Sequence, residues 1–209
     1  AAQAKIAGAE ILININASPF HRGKSSERLA RVKSCAAAHQ LPIIYVNQVG
    51  GQDELVFDGG SFAIDAQGEL SVSAQTFLEA FPIVTVDRSS DPRLVPGDTV
   101  AEREDLDAVW QALEMGMRDY VDKNGFPGVV LGLSGGIDSA VTLAVAADAL
   151  GPERVEAVMM PFRYTASMSV EDAAAEAKAL GVRFSNLSIE PLYEAFMTAL
   201  ADEFCGLPA

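Results

Sequence analysis

The sequence predicts an α/β protein built in two blocks. Short apolar runs alternate with stretches whose apolar residues recur at three- and four-residue steps, the mark of strands alternating with helices. One run, Gly128–Leu133, passes through a glycine-rich turn directly into a helical stretch. Hydrophobic residues make up 49% of the 209, against 21% charged, which supports a packed core and argues against disorder.

In the first block, Ile11–Ile15 (ILINI) reads as a buried strand and Asn16–Gly23 as a turn-rich segment. Ser25 or Ser26 is placed to cap a helix that runs to about His39, with Leu29, Val32, Ala36 and Ala37 at helical spacing. Pro42–Val49 reads as a second strand and Gly50–Gly60 (GGQDELVFDGG) as a loop. Ser61–Asp65 and Glu69–Ser73 form a hairpin across Ala66–Gly68, and Phe81–Asp87 forms a further strand. Residues 88–101 carry two prolines, a glycine and several charges, the composition of a connector. The predicted division is 1–88, a linker at 89–101, and 102–209.

The second block opens with a helix from about Glu102 to Lys123. Leu106, Val109, Trp110, Leu113, Met117, Tyr120 and Val121 form its apolar stripe. Strand Gly128–Leu133 and helix Ser139–Leu150 follow, then strand Arg154–Met160. Helix Ser169–Leu180 has Ser169 as N-cap and Asp172 three residues on, a capping box, and Gly181 ends it. Val182–Ile189 is a third strand, and Pro191 starts a last helix. Strands alternating with helices imply a parallel sheet. Three strands leave apolar surface open, and no Met begins the chain, so a piece of a longer protein is expected.

Net charge is −14 and the isoelectric point about 4.4, which repels a polyanion such as nucleic acid. No apolar run approaches the roughly 18 to 20 residues that span a bilayer. The first ten residues, AAQAKIAGAE, lack the basic-then-apolar order of a signal peptide. Cys35 and Cys205 show no metal-ligand spacing, and Cys35, in an Ala-rich helix, reads as a small half-buried hydrophobe. A reduced, cytoplasmic setting follows.

Chemistry concentrates in Ser134-Gly135-Gly136-Ile137-Asp138-Ser139. A helix N-terminus offers unpaired N–H groups and partial positive charge to an anion. Two glycines let backbone approach a phosphate without a Cβ in the way. The Ser134 and Ser139 hydroxyls can donate to phosphate oxygens. Asp138 is unsuited to a bare phosphate and suited to Mg²⁺, which bridges phosphates. The pattern is neither GxxxxGK[ST] nor GxGxxG.

Set between an apolar strand and a helix, SGGIDS resembles the phosphate loop of the N-type ATP pyrophosphatases. That group includes NAD, GMP and asparagine synthetases and several tRNA-modifying enzymes. Met160–Ala173 (MPFRYTASMSVEDA) resembles the segment after the second strand of NAD synthetases, where Arg163, Tyr164, Ser167 and Ser169 would line the nucleotide side. The stretches NINASPFHRGKSSER and PIIYVNQVGGQDELVFDGGS resemble the amidase part of glutamine-dependent NAD synthetases.

That resemblance implies a C-terminal half of a nitrilase-like α/β sandwich, followed by the start of a doubly wound, adenine nucleotide α-hydrolase-like domain. Ser18, by spacing a turn residue before Pro19, and Lys24 would bind the amino-acid end of glutamine. Gln52, Asp53, Glu54 and Asp58 belong to a family signature loop and are read as solvated, with structural roles. ATP contacts would come from Gly132, Leu133, Ser134, Gly135, Gly136, Ile137, Asp138, Ser139 and Arg163, with Asp138 holding Mg²⁺. The family's Glu-Lys-Cys triad would lie before residue 1, so the 209 residues alone are expected to lack glutaminase activity and to have little synthetase activity. The parent reaction would be ATP-dependent amidation of deamido-NAD through an acyl adenylate, with ammonia from glutamine, in a homo-oligomer. The rivals are a tRNA-thiolating adenylase, disfavoured by the charge, and a non-catalytic ATP-binding module.

Overall fold

In the computed structural model, residues 1–90, 92–203 and 205 are described. Asp91 of the bridge, residue 204 and residues 206–209 lie outside them. The chain divides into two compact units, Ala1–Tyr120 and Val121–Ala209.

The first unit runs α1 (Ala2–Ile6), β1 (Leu12–Asn16), α2 (Lys24–His39), β2 (Ile43–Asn47), β3 (Val49–Gln52), β4 (Leu55–Asp58), β5 (Phe62–Ile64) and β6 (Leu70–Ser73). β1, β2, β5 and β6 make one sheet in that order, with β1 and β2 parallel and the other pairings antiparallel. Alternation along β2 assigns its side chains to opposite faces. Ile43 and Tyr45 join Phe62, Ile64 and Ala36 of α2, with Leu29, Val32 and Cys35 packed against them. Ile44 lies with Ala63, Val72 and Leu94 in a separate cluster. Cys35 is therefore a half-buried packing residue.

Several sequence expectations change here. No serine side chain caps α2: Gly23, at φ 76°, occupies the N-cap position. The Ser26 hydroxyl instead donates to Glu102 at 2.8 Å. The ILINI strand is not buried, since Ile13 and Ile15 are 62% and 81% exposed and β1 is an edge strand. The Gly50–Gly60 loop is a hairpin, β3 pairing β4 from Val49–Asp58 to Gln52–Leu55. Of Phe81–Asp87 only Val86–Asp87 is a strand (β7), paired with β8 (Arg93–Leu94), while Phe81 stands in solvent. The 88–101 bridge is tied along the sheet. Leu94 is buried, the Gly97 N–H donates to the Ser71 carbonyl, and the Ser73 N–H donates to the Asp98 carbonyl.

α3 (Asp105–Lys123) follows its expected stripe only in part: Val121 is buried and Val109, Trp110 and Met117 are half-buried. Leu106, Leu113 and Tyr120 are largely exposed, whereas Ala112 and Met115 pack with Phe77, Val49 and Val56. Helix and hairpin backbones nearly touch at two glycines: a Cβ on Gly51 would lie 3.2 Å from the Gly116 Cα. Asp119 accepts the Gly51 N–H at 2.6 Å across the same contact.

The β7–β8 clip carries a pH prediction. Asp87 accepts from the Ser89 backbone N–H and hydroxyl, then from Arg93, and these donors pull its carboxyl down to about 2. A depressed carboxyl contributes stability above its unfolded value, lost as pH falls through the folded one. Asp87 should therefore stay ionised in the clip down to about pH 2, while the stability it contributes declines as pH falls from about 3.8 to about 2. An NMR titration of Asp87 with a midpoint near 4 would contradict it.

The second unit is a β/α alternation: β9 (Val129–Gly132), α4 (Ile137–Leu150), β10 (Val155–Met159), α5 (Ser167–Leu180), β11 (Arg183–Asn186) and α6 (Glu190–Leu200). Its sheet has the order β11-β10-β9, every pairing parallel. Gly181, at φ 72°, ends α5 as expected. The Ser169–Asp172 capping box is absent. α5 begins two residues earlier, at Ser167, with Ala166 as N-cap and no side-chain cap. Among the described residues no helix is long and apolar enough to cross a membrane.

Candidate functional site

In the second unit the site grows from the end of β9. The Leu133 N–H donates to the Val158 carbonyl at 2.9 Å, and its side chain is fully buried, so Leu133 can offer a ligand only backbone. Gly132 lies at the strand end, its missing Cβ 3.6 Å from the Met160 Cε. The chain then turns at Gly135, φ 77°. A Cβ there would sit 2.2 Å from the Ser169 carbonyl oxygen. Backbone thus meets backbone, and only glycine fits. This contact brings the start of α5 to the loop.

Gly136, extended at φ −98° and ψ 155°, is the N-cap of α4. The helix starts at Ile137, earlier than Ser139, so Asp138 sits in its first turn. The first N–H groups of that turn have no helical acceptor. Ile137 is 75% exposed beside them. The serines are more committed than expected. The Ser139 hydroxyl donates to the Gly136 carbonyl at 2.9 Å and accepts the Ser134 N–H at 3.2 Å. The Ser134 and Ser139 hydroxyls lie 3.0 Å apart, and Ser134 accepts the Gly136 N–H at 3.3 Å. Both brace the loop's shape.

Among the described residues the exposed Asp138 carboxylate takes no hydrogen bond or ion pair, and no cluster of three metal-ligating side chains occurs. A lone free carboxylate suits Mg²⁺, which takes one or two carboxylates and completes its shell with phosphate and water. Arg163 is held elsewhere in the unit. It pairs with Glu190, reaches Glu194 at 3.6 Å, and stacks its guanidinium over Phe162 and Tyr193. Tyr164 is 85% exposed.

The first unit holds a polar knot that sequence reading missed. The Ser18 N–H donates to the Asn47 Oδ1 at 2.9 Å, and the Asn47 Nδ2 donates to the Ser18 carbonyl at 3.2 Å. Arg28 grips Asp58 with two bonds of 3.3 and 3.1 Å and reaches the Ser18 Oγ at 3.4 Å. Asp58, read as solvated, is 1% exposed, because Arg28 and Asn47 supply the donors that burial requires. Lys24 precedes Arg28 by one helical turn on the same face and has no partner among the described residues. Arg28 in a helix and Asn47 at a strand end carry no local signal, though the i, i+4 spacing of Lys24 and Arg28 hints at a shared face.

The second unit's loop and parallel sheet define an adenine-nucleotide α-hydrolase-like domain, and the first unit a layered α/β amidase-like one. Residues 2–90 match the carbon-nitrogen hydrolase family and residues 109–207 the NAD synthase family. The chain is 46% identical to a glutamine-dependent NAD(+) synthetase of Xylella fastidiosa and 42% identical to one of Acinetobacter baylyi, each match covering 96% of this chain and 37% of the relative. A solved glutamine-dependent NAD+ synthetase from Acinetobacter baumannii, in complex with adenosine diphosphate, superposes with a TM-score of 0.93 at 43% identity. It covers 99% of this chain and 39% of that one. Over 96% of its length the chain is similar to glutamine-dependent NAD(+) synthetases, and it spans about 37% of the length of those curated relatives.

Proposed function

We propose that this chain is the part of a glutamine-dependent NAD(+) synthetase that carries the pyrophosphate-gripping loop and part of the glutamine site. In the whole protein, ATP adenylates the carboxylate of deamido-NAD and releases pyrophosphate. Ammonia from glutamine then displaces AMP to give NAD. The carrying observation is Gly135, forced against the Ser169 backbone at the N-terminus of α4 with Asp138 free beside it.

The geometry supports the following roles. The N–H groups at the start of α4, with Gly135 and Gly136, receive the phosphates, where helix-end dipoles stabilise negative charge as the leaving group departs. Ser134 and Ser139 hold the loop's curvature; Gly132, Leu133 and Ile137 offer only backbone. Asp138 would hold Mg²⁺, which supplies Lewis-acid neutralisation of the phosphates when bound. Arg163 joins the nucleotide only by leaving Glu190. The adenosine diphosphate in the Acinetobacter baumannii relative supports an adenine nucleotide here. The two family matches support an amidase part at 1–88, a linker at 89–101 and a synthetase part at 102–209. A cytoplasmic homo-oligomer without nucleic acid or membrane partners is the working setting.

Calorimetry of the full-length protein tests this. Asp138→Ala should weaken ATP binding in Mg²⁺ by roughly ten- to hundredfold, the loss of one charge-assisted contact. It should change binding in chelator little. Equal affinity of both proteins in Mg²⁺ would remove Asp138 from the metal role.

A further inference from the structure

We propose that Arg28, Asn47 and Asp58 are positioning residues that aim the Ser18 hydroxyl proton at the carboxylate of a bound amino acid. The inference rests on the reading of Ser18 and Lys24 as glutamine contacts and names what makes Ser18 competent.

Asn47 clamps Ser18 at both its N–H and its C=O, at 2.9 and 3.2 Å, so the Ser18 backbone has one setting. Arg28 approaches the Oγ at 3.4 Å. A guanidinium only donates and stays charged. The Ser18 oxygen is therefore the acceptor in that contact, and its one proton must point elsewhere, toward an acceptor. Asp58 stops Arg28 from swinging, through its two bonds of 3.3 and 3.1 Å, and takes the Asn47 Nδ2 at 3.1 Å. One carboxylate thus orders both groups that touch Ser18.

The charge balance selects the ligand. Asp58 neutralises Arg28, both being nearly fully buried. The remaining positive charge is Lys24, one turn before Arg28 on α2 and without a partner among the described residues. A hydroxyl constrained to donate, with an unpaired ammonium one helical turn from the arginine that holds it, suits a carboxylate. A buried ion pair is a poor device for stability alone, since well-packed apolar residues of similar volume often do as well.

The test is steady-state kinetics of the full-length protein with glutamine or with ammonium chloride as nitrogen source. Ser18→Ala, Arg28→Lys and Asn47→Ala are compared, singly and as Ser18→Ala combined with each other change. Ser18→Ala should raise the glutamine KM about tenfold, and Arg28→Lys or Asn47→Ala about three- to tenfold. Ammonium-driven rates should stay within about twofold. Arg28→Lys and Asn47→Ala should raise KM no further in the Ser18→Ala background, because residues acting through one another are not additive. Equal KM increases in both backgrounds would overturn the positioning role. An unchanged glutamine KM in Ser18→Ala would instead sink the underlying assignment of Ser18. Should Arg28→Lys fail to fold, the Asn47→Ala cycle decides alone, with the same two outcomes.

Discussion

Gly135→Ala is expected to lower kcat/KM for ATP at least about a hundredfold in the full-length protein, since a shift of about 1 Å at a reacting site costs that much. The added Cβ would lie 2.2 Å from the Ser169 oxygen and 2.8 Å from its Cα. These are backbone atoms, so no side-chain rotation relieves the overlap. The φ of 77° adds left-handed strain for any residue with a Cβ. Either the loop leaves the start of α4 or α5 is pushed from the sheet, and both move N–H groups away from the phosphates. Gly136→Ala is the internal comparison. Its φ is −98°, and its nearest neighbour would be the Ser134 hydroxyl at 3.4 Å, an ordinary contact. Pyrophosphate release should therefore suffer less in Gly136→Ala. A Gly135→Ala enzyme within about threefold of wild type would separate the loop from phosphate binding.

Asp58→Ala is expected to destabilise the first unit by about 3–5 kcal/mol, because it strands the Arg28 charge in the interior. The pair is inaccessible on both sides, at 6% and 2% side-chain exposure, so water cannot substitute for the lost carboxylate. Asn47 loses an acceptor at the same time. Replacing both partners, as Arg28→Met with Asp58→Leu, should cost much less, since no buried charge is then unpaired. Urea unfolding of this chain followed by fluorescence of Trp110, its one tryptophan, reports on the first unit. A loss below about 1 kcal/mol in Asp58→Ala would mean that Arg28 finds another partner or water.

Much of this architecture is legible in residue order. The β9–loop–α4 unit shows as an apolar run meeting SGGIDS, because a strand–turn–helix passage needs only local conformation, and local conformation is written in neighbouring residues. The parallel order of the second sheet follows from its β/α alternation, and Gly181 marks the end of α5 by the left-handed turn it permits. Capping was misjudged at both Ser26 and Ser169. In each case the hydroxyl stands close to the helix start, but the N-cap falls two or three residues earlier, at Gly23 rather than Ser25 or Ser26 and at Ala166 rather than Ser169.

By itself the sequence determined the α/β class, the strand–SGGIDS–helix unit that we propose as the phosphate loop, and the family resemblance that points to Ser18 and Lys24. Tertiary structure alone decided which part of the α3 stripe is buried, that Gly50 and Gly51 form a strand, and that Asp58 is buried against Arg28 and Asn47. The physical reason is range. Helix starts, turns and glycine φ angles depend on residues within a turn or two. α3 meets the hairpin where Gly51 and Gly116 approach, and the Ser18 knot joins side chains 10, 29 and 30 positions apart. Close packing and charge compensation are settled only when those positions meet.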